Sequence, residues 1–79
     1  MTLDELTLGQ NATVISLQAT GLARRRLMDL GILPGTVLQA ELRSPMGDPV
    51  AYRVRGALIA LRKSQAREIE ITLTEETNS

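Results

Sequence analysis

Arg24-Arg25-Arg26-Leu27-Met28-Asp29-Leu30-Gly31-Ile32-Leu33-Pro34-Gly35 reads as the end of a helix and the turn that launches the next strand. Thr20 is placed to cap the helix start, because its hydroxyl can accept a bond from an orphan N–H of the first turn. With Leu30 as C-cap, Gly31 takes the left-handed position that a side chain resists, and Ile32 packs back on Leu27. Pro34 and Gly35 then supply the central pair of a type II turn, proline fixing φ near −65° and glycine accepting a positive φ. The chain is expected to reverse between Leu33 and Thr36.

At about 100° per residue, Leu22, Ala23, Leu27 and Leu30 fall on one apolar helix face, with Arg26 in its midst and Met28 on the opposite side. Two readings stand for each of the misplaced residues. Arg26 either lays its methylene stem along the core edge while its guanidinium reaches water or an acceptor, or it meets a partner. Met28 is either a single exposed apolar residue or an adaptable contact on a binding face.

Outward from this corner the chain breaks into short strands. Thr2 and Glu5 have capping-box spacing and predict a turn over Leu3 to Leu6, with Leu6 and Leu8 anchoring it to the core. Asn11 to Leu17 is rich in β-formers but alternates imperfectly, Val14 having one parity and Ile15 and Leu17 the other; a bulge or a strand buried on both faces explains that. Leu38, Ala40 and Leu42 alternate with Gln39, Glu41 and Arg43 as in a half-buried strand. Ser44 to Pro49 is a loop by composition. Val50, Tyr52 and Val54 point one way, and Arg55-Gly56 makes a tight hairpin turn. Ala57 to Leu61 is apolar on both parities, as an interior strand would be. Ser64 to Arg67 suits one helical turn, and Ile69, Ile71 and Leu73 alternate with Glu68, Glu70 and Thr72. The expected fold is mainly β: a small antiparallel barrel of about five strands, with a short helix inserted between the first two. Residues 1–74 form the one domain and residues 75–79 a polar tail.

The composition excludes more than it suggests. A chain of 79 residues is near the size at which a hydrophobic core alone leaves about 3–5 kcal/mol of net stability. Nine basic and nine acidic residues cancel, so no global field draws it to nucleic acid or an anionic membrane. With neither histidine nor cysteine, metal binding would fall to carboxylates, a poor donor set for transition metals; no metal site and no cofactor is expected. No nucleophile triad, phosphate loop or dinucleotide fingerprint is present, so no enzymatic activity is expected. Asp4 and Glu5 interrupt any leader-like start, and no apolar run approaches the roughly 20 residues that span a bilayer. A cytoplasmic domain without membrane insertion is expected.

What remains is recognition. Arg24, Arg25 and Arg26 fan over more than half the helix circumference, and Tyr52 is the one aromatic residue, so no stacking platform for bases accompanies them. Arg53, Arg55, Arg62 and Lys63 cluster near the Gly56 hairpin, either as charge that keeps a sheet face soluble or as a contact for an acidic surface. In the loop, Pro45 and Pro49 limit the entropy lost on docking and present Met46 beside Asp48; Met46 either docks or folds back on the barrel end. The expected partner surface joins Arg24, Arg25, Arg26 and Met28 of the helix to Pro45, Met46 and Asp48 of the loop.

These residues carry a resemblance. Arg26-Leu27 with Leu30-Gly31, the Leu33-Pro34-Gly35 turn, Pro45-Met46-Gly47-Asp48-Pro49, Gly56, and Ala60-Leu61-Arg62-Lys63 leading to Ala66 and Ile69 together resemble the FeoA family, ferrous iron transport protein A, in register from about Leu6 to Leu73. Gln65 and Ile32 are small departures. The resemblance implies an SH3-like barrel with a helical insertion. It also implies a small cytosolic accessory of bacterial ferrous iron uptake that acts with FeoB, a membrane transporter carrying a cytosolic G-protein domain. Activation of GTP hydrolysis would need one of the three consecutive arginines at the nucleotide. An alternative is a stand-alone regulatory module related to the SH3-like C-terminal domain of metal-dependent transcriptional repressors.

Overall fold

In the computed structural model, which describes residues 1–74, one apolar cluster draws on the inner faces of all five strands and on Leu3 and Leu6 of the entry segment. The strands are β1 (Asn11–Leu17), β2 (Val37–Arg43), β3 (Val50–Val54), β4 (Ala57–Leu61) and β5 (Ile69–Leu73). Helix α1 (Gly21–Asp29) lies between β1 and β2, and the single turn α2 (Lys63–Ala66) between β4 and β5. All pairings are antiparallel, in the order β4-β3-β2-β1-β5. Only a curled sheet lets both of its ends contribute to one core, because successive side chains leave a strand on opposite faces. The expected tail over residues 75–79 lies outside the described residues.

The helix end forms as its sequence dictates. The Ile32 N–H donates to the Leu27 carbonyl at 3.0 Å and the Gly31 N–H to the Met28 carbonyl at 2.9 Å, the paired bonds of a Schellman ending, with Gly31 at φ 91°. The turn follows at once, the Thr36 N–H donating to the Leu33 carbonyl at 2.9 Å. Thr36 adds something the sequence reading missed. Its buried hydroxyl donates to the Gly31 carbonyl at 3.1 Å and accepts from the Leu33 N–H at 3.3 Å, tying helix end and turn into one unit. Thr20 does occupy the N-cap, but its side chain makes no capping bond.

A Cβ built on Gly31 meets Val54 Cγ1 at 3.9 Å and Arg55 Cδ at 4.0 Å, ordinary contacts. The cost of a side chain there is therefore one of backbone conformation, about 1–2 kcal/mol. Gly31→Ala should lower the thermal midpoint accordingly, and Gly31→Asn should lower it less, since asparagine tolerates the left-handed region. Equal midpoints for wild type and Gly31→Ala in a thermal melt would remove this account of the corner.

Four expectations need correction. Leu8 does not anchor the entry segment: it is exposed, and Leu3 is buried in its place while Glu5 reaches back to the Thr2 N–H at 2.8 Å. The apolar face of α1 is not a buried face: Leu22, Ala23 and Leu30 are exposed, and Leu27 alone is buried. Leu42 points outward, because a bulge at Glu41 sets Ala40 opposite Tyr52 but Leu42 opposite Ala51 and thereby reverses the side on which the next residues emerge. Finally, β4 is an edge strand and not an interior one, and the sheet is not closed by hydrogen bonds between β4 and β5. The irregularity in β1 is the bulge its broken alternation suggested: Val14 faces Ile71, Ser16 faces Glu70, and Ile15 between them is extruded and exposed.

Candidate functional site

Helix α1 stands off the sheet on a single buried side chain, which leaves two flanks open. On the outer flank Gly21, Arg24, Arg25, Met28 and Asp29 line a shallow depression of about 400 Å³. Arg24 is held there, its guanidinium donating to the Leu17 carbonyl at 3.3 Å. Met28 is 39% exposed and contributes an apolar thioether side chain to a hollow otherwise lined by Gly21 and three charged residues. Arg26 turns away from this set. It lines a groove of about 390 Å³ with Ala23 and Leu27 of α1, Gln18 to Thr20 of the preceding loop, and Ser64, Gln65 and Glu68 at α2. Glu68, on the polar side of the expected alternation, thus lines the same groove as an arginine. Nothing local signalled this, because the two lining segments lie about forty residues apart in sequence.

The loop between β2 and β3 presents Met46 with 90% of its surface exposed, so this side chain does not fold back on the barrel end. The loop is internally braced, with the Ser44 N–H donating to the Pro49 carbonyl at 3.1 Å and the Gly47 N–H to the Ser44 carbonyl at 2.8 Å. Asp48 does not project as a free contact residue. Its Oδ1 accepts the Lys63 N–H at 2.9 Å, which fastens the loop to the first turn of α2. The seven residues expected to form one surface are therefore divided: Arg24, Arg25 and Met28 share a hollow, Arg26 faces the groove behind it, and Pro45, Met46 and Asp48 sit on a loop pinned beside α2.

Two ion pairs are formed elsewhere among the described residues. Arg53 and Glu41 form a two-pronged pair across β2 and β3, at 2.8 and 2.7 Å; the arginine holds the Glu41 carboxyl below the usual carboxylate range. The N-terminal ammonium donates to Glu70 at 2.8 Å, and the hydrogen bond to that carboxylate raises the ammonium pKa. Among the described residues no group of three or more histidine, cysteine, aspartate or glutamate side chains is placed to hold a metal ion. Nor is any helix among them long and apolar enough to cross a membrane. The site offers shape, apolar sulfur and guanidinium charge, which suit recognition rather than bond-breaking.

The sequence profile of the FeoA domain matches residues 1–73. The chain belongs to the FeoA domain family. This is a family of non-enzymatic accessory proteins associated with ferrous iron transport. The domain is 32% identical over 73 residues to the Fe(2+) transport protein A/Fe(2+) transporter FeoB fusion protein of Porphyromonas gingivalis, a match covering 92% of this chain but 9% of that polypeptide. The chain thus spans about a tenth of that relative's length. It is also similar to the FeoA-like protein of Clostridium acetobutylicum, with 37% identity and a TM-score of 0.88 over 100% of this chain and 92% of the other. The FeoA of Stenotrophomonas maltophilia, solved in complex with zinc and described as an SH3 domain protein, gives 34% identity and a TM-score of 0.80 over 91% of this chain and 89% of the other. The curled five-strand sheet with a helix between its first two strands is accordingly an SH3-like FeoA fold.

Proposed function

We propose that this FeoA domain works in the cytoplasm as an accessory of ferrous iron uptake, docking on the cytosolic parts of a FeoB-type transporter. The observation that carries this reading is the Porphyromonas gingivalis relative, in which an FeoA-like segment and FeoB are parts of one fusion protein. A covalent link keeps two modules at an effective concentration in the millimolar range, which serves a function only if the modules work in contact. A separate chain must reach the same proximity by affinity. Two features of the fold provide for it, the Met28 hollow with Arg24 and Arg25 beside it and the braced loop that displays Met46. The loop loses little entropy on docking, and the guanidinium groups orient an acidic counterpart.

Co-purification of the tagged chain with the detergent-solubilised transporter tests the reading. Met28→Asp and Met46→Asp each place a carboxylate in an apolar contact, and each is expected to weaken capture by about ten-fold or more. Both side chains are exposed, so neither change should disturb the fold. Undiminished association of both variants would move the docking surface elsewhere, and no association of the wild type would end the proposal.

A further inference from the structure

The two ends of the sheet are treated differently. Beyond β5 the entry segment closes the edge: the Ile71 N–H donates to the Met1 carbonyl at 2.8 Å, and Thr2 bridges to Glu70. Beyond β4 there is nothing of the kind among the described residues, for β4 pairs with β3 alone. The hairpin fixes which of its groups are left over. Arg55 at φ 50° and Gly56 at φ 82° form a two-residue turn with positive φ at both positions, so Val54 and Ala57 are the first hydrogen-bonded pair and Tyr52 with Ile59 the next. Leu58 and Ala60 then direct their N–H and C=O groups away from β3, into solvent.

Natural edges are protected by charge, proline, a bulge or a cover. Ala57-Leu58-Ile59-Ala60-Leu61 has none of these within it. Its charges lie just outside, at Arg55, Arg62 and Lys63, all exposed and without an ion pair among the described residues. Part of the outer face beside the edge is apolar as well, exposed Leu58 and Ala60 continuing through Ala51 to the outward-turned Leu42, while Arg53, paired with Glu41, lies across from Leu58. A second copy of the chain is a poor occupant. The antiparallel register that uses all four free groups pairs Leu58 with Ala60 of the other copy and sets Arg55 opposite Lys63 at both ends, where like charges repel. The same arrangement favours an acidic-ended strand.

We propose that the β4 edge, Ala57 to Leu61, receives an extended segment of a partner protein as a sixth strand, apolar at its centre and carrying carboxylates at its ends. Main-chain bonds to Leu58 and Ala60 supply the register, and Arg55, Arg62 and Lys63 select the ends. This stands whether or not the partner is the transporter.

The probe is a synthetic peptide of alternating valine and threonine closed at both ends by paired glutamates, compared with the same peptide closed by lysines. Amide hydrogen exchange and chemical-shift titration on the intact chain are the readouts. The glutamate-ended peptide is expected to slow exchange at Leu58 and Ala60 and to bind about ten-fold more tightly than the lysine-ended one. Arg62→Glu combined with Lys63→Glu should reverse that preference. Ala60→Pro removes only an outward N–H, so it should abolish binding while Ile59 stays protected by its bond to β3; should Ile59 lose protection, the charge-reversal pair remains the deciding variant. Equal binding of the two peptides, protection by neither, protection away from β4, or protection of Leu58 and Ala60 in the chain alone as its concentration rises would each overturn the proposal, the last by assigning the edge to a second copy.

Discussion

Tyr52→Ala is expected to abolish the cooperative unfolding transition at physiological temperature. Tyr52 is the largest of the fully buried side chains, and it projects from the middle of β3 into the core, flanked by Ala40 on β2 and Ile59 on β4. Truncating an aromatic side chain at such a site costs about 3–5 kcal/mol, because the apolar contacts are lost and a cavity is left behind. A core of this size gives about the same total. The variant therefore has no reserve, and a calorimetric transition within about 5 °C of wild type would show that the core does not depend on this ring. Tyr52→Phe separates the ring from the hydroxyl. That hydroxyl donates to the Leu3 carbonyl at a long 3.5 Å, and the carbonyl also accepts the Leu6 N–H at 3.1 Å, so the loss should be under about 1 kcal/mol.

The same hydroxyl governs the alkaline limit. Burial, reinforced by the negative charge of Asp4, pushes the Tyr52 pKa up to about 12 from the ordinary 10. Between those values the unfolded chain gives up the phenolic proton while the folded chain retains it, so stability is full below about 10 and falls as pH rises toward about 12. The loss across that window is about 2–3 kcal/mol. Tyr52→Phe should be free of this component, and identical alkaline melting profiles for the two proteins would exclude Tyr52 as its source.

What the sequence made legible here is mostly what single residues decide by stereochemistry. Gly31 fits a left-handed C-terminal position and Pro34-Gly35 a turn whatever the rest of the chain does, so the corner could be read locally. The broken alternation of Val14, Ile15 and Leu17 left a bulge or a strand buried on both faces, and the bulge is what forms. The bulge at Glu41 gave no such sign, because Leu38, Ala40 and Leu42 alternate without fault and only the curl of the sheet requires the extra residue. For β4, apolar residues of both parities were read as burial on both faces, whereas an unprotected edge has the same composition. The candidate site divides along the same line. Arg24, Arg25 and Met28 meet because helical spacing brings them together, but Arg26 faces Gln65 and Glu68 through tertiary structure alone, and the bond from the Lys63 N–H that fixes Asp48 has no local signature.

Leu27→Ala should release α1 from the sheet. A nine-residue helix is shorter than the roughly 12–15 residues at which isolated helices become even marginal in water, so α1 persists through its attachment. Leu27 is the one buried residue within it, and the Ile32 N–H is bonded to the Leu27 carbonyl, which couples that anchor to the Schellman ending and so to β2. Truncation removes about 2–4 kcal/mol of packing at the one buried side chain of the helix, leaving the Arg24 bond to the Leu17 carbonyl and the helix end as its remaining ties. Amide exchange within Gly21 to Leu30 should accelerate far more than exchange in β1 or β3, and capture by the transporter should fall together with it. Met28→Asp is the counterpart that gives the comparison its meaning: it should reduce capture while leaving helix protection intact, since Met28 lies on the exposed side. If Leu27→Ala left α1 as protected as in wild type, the helix would be held by something other than this side chain, and the hollow around Met28 could not owe its shape to that anchor.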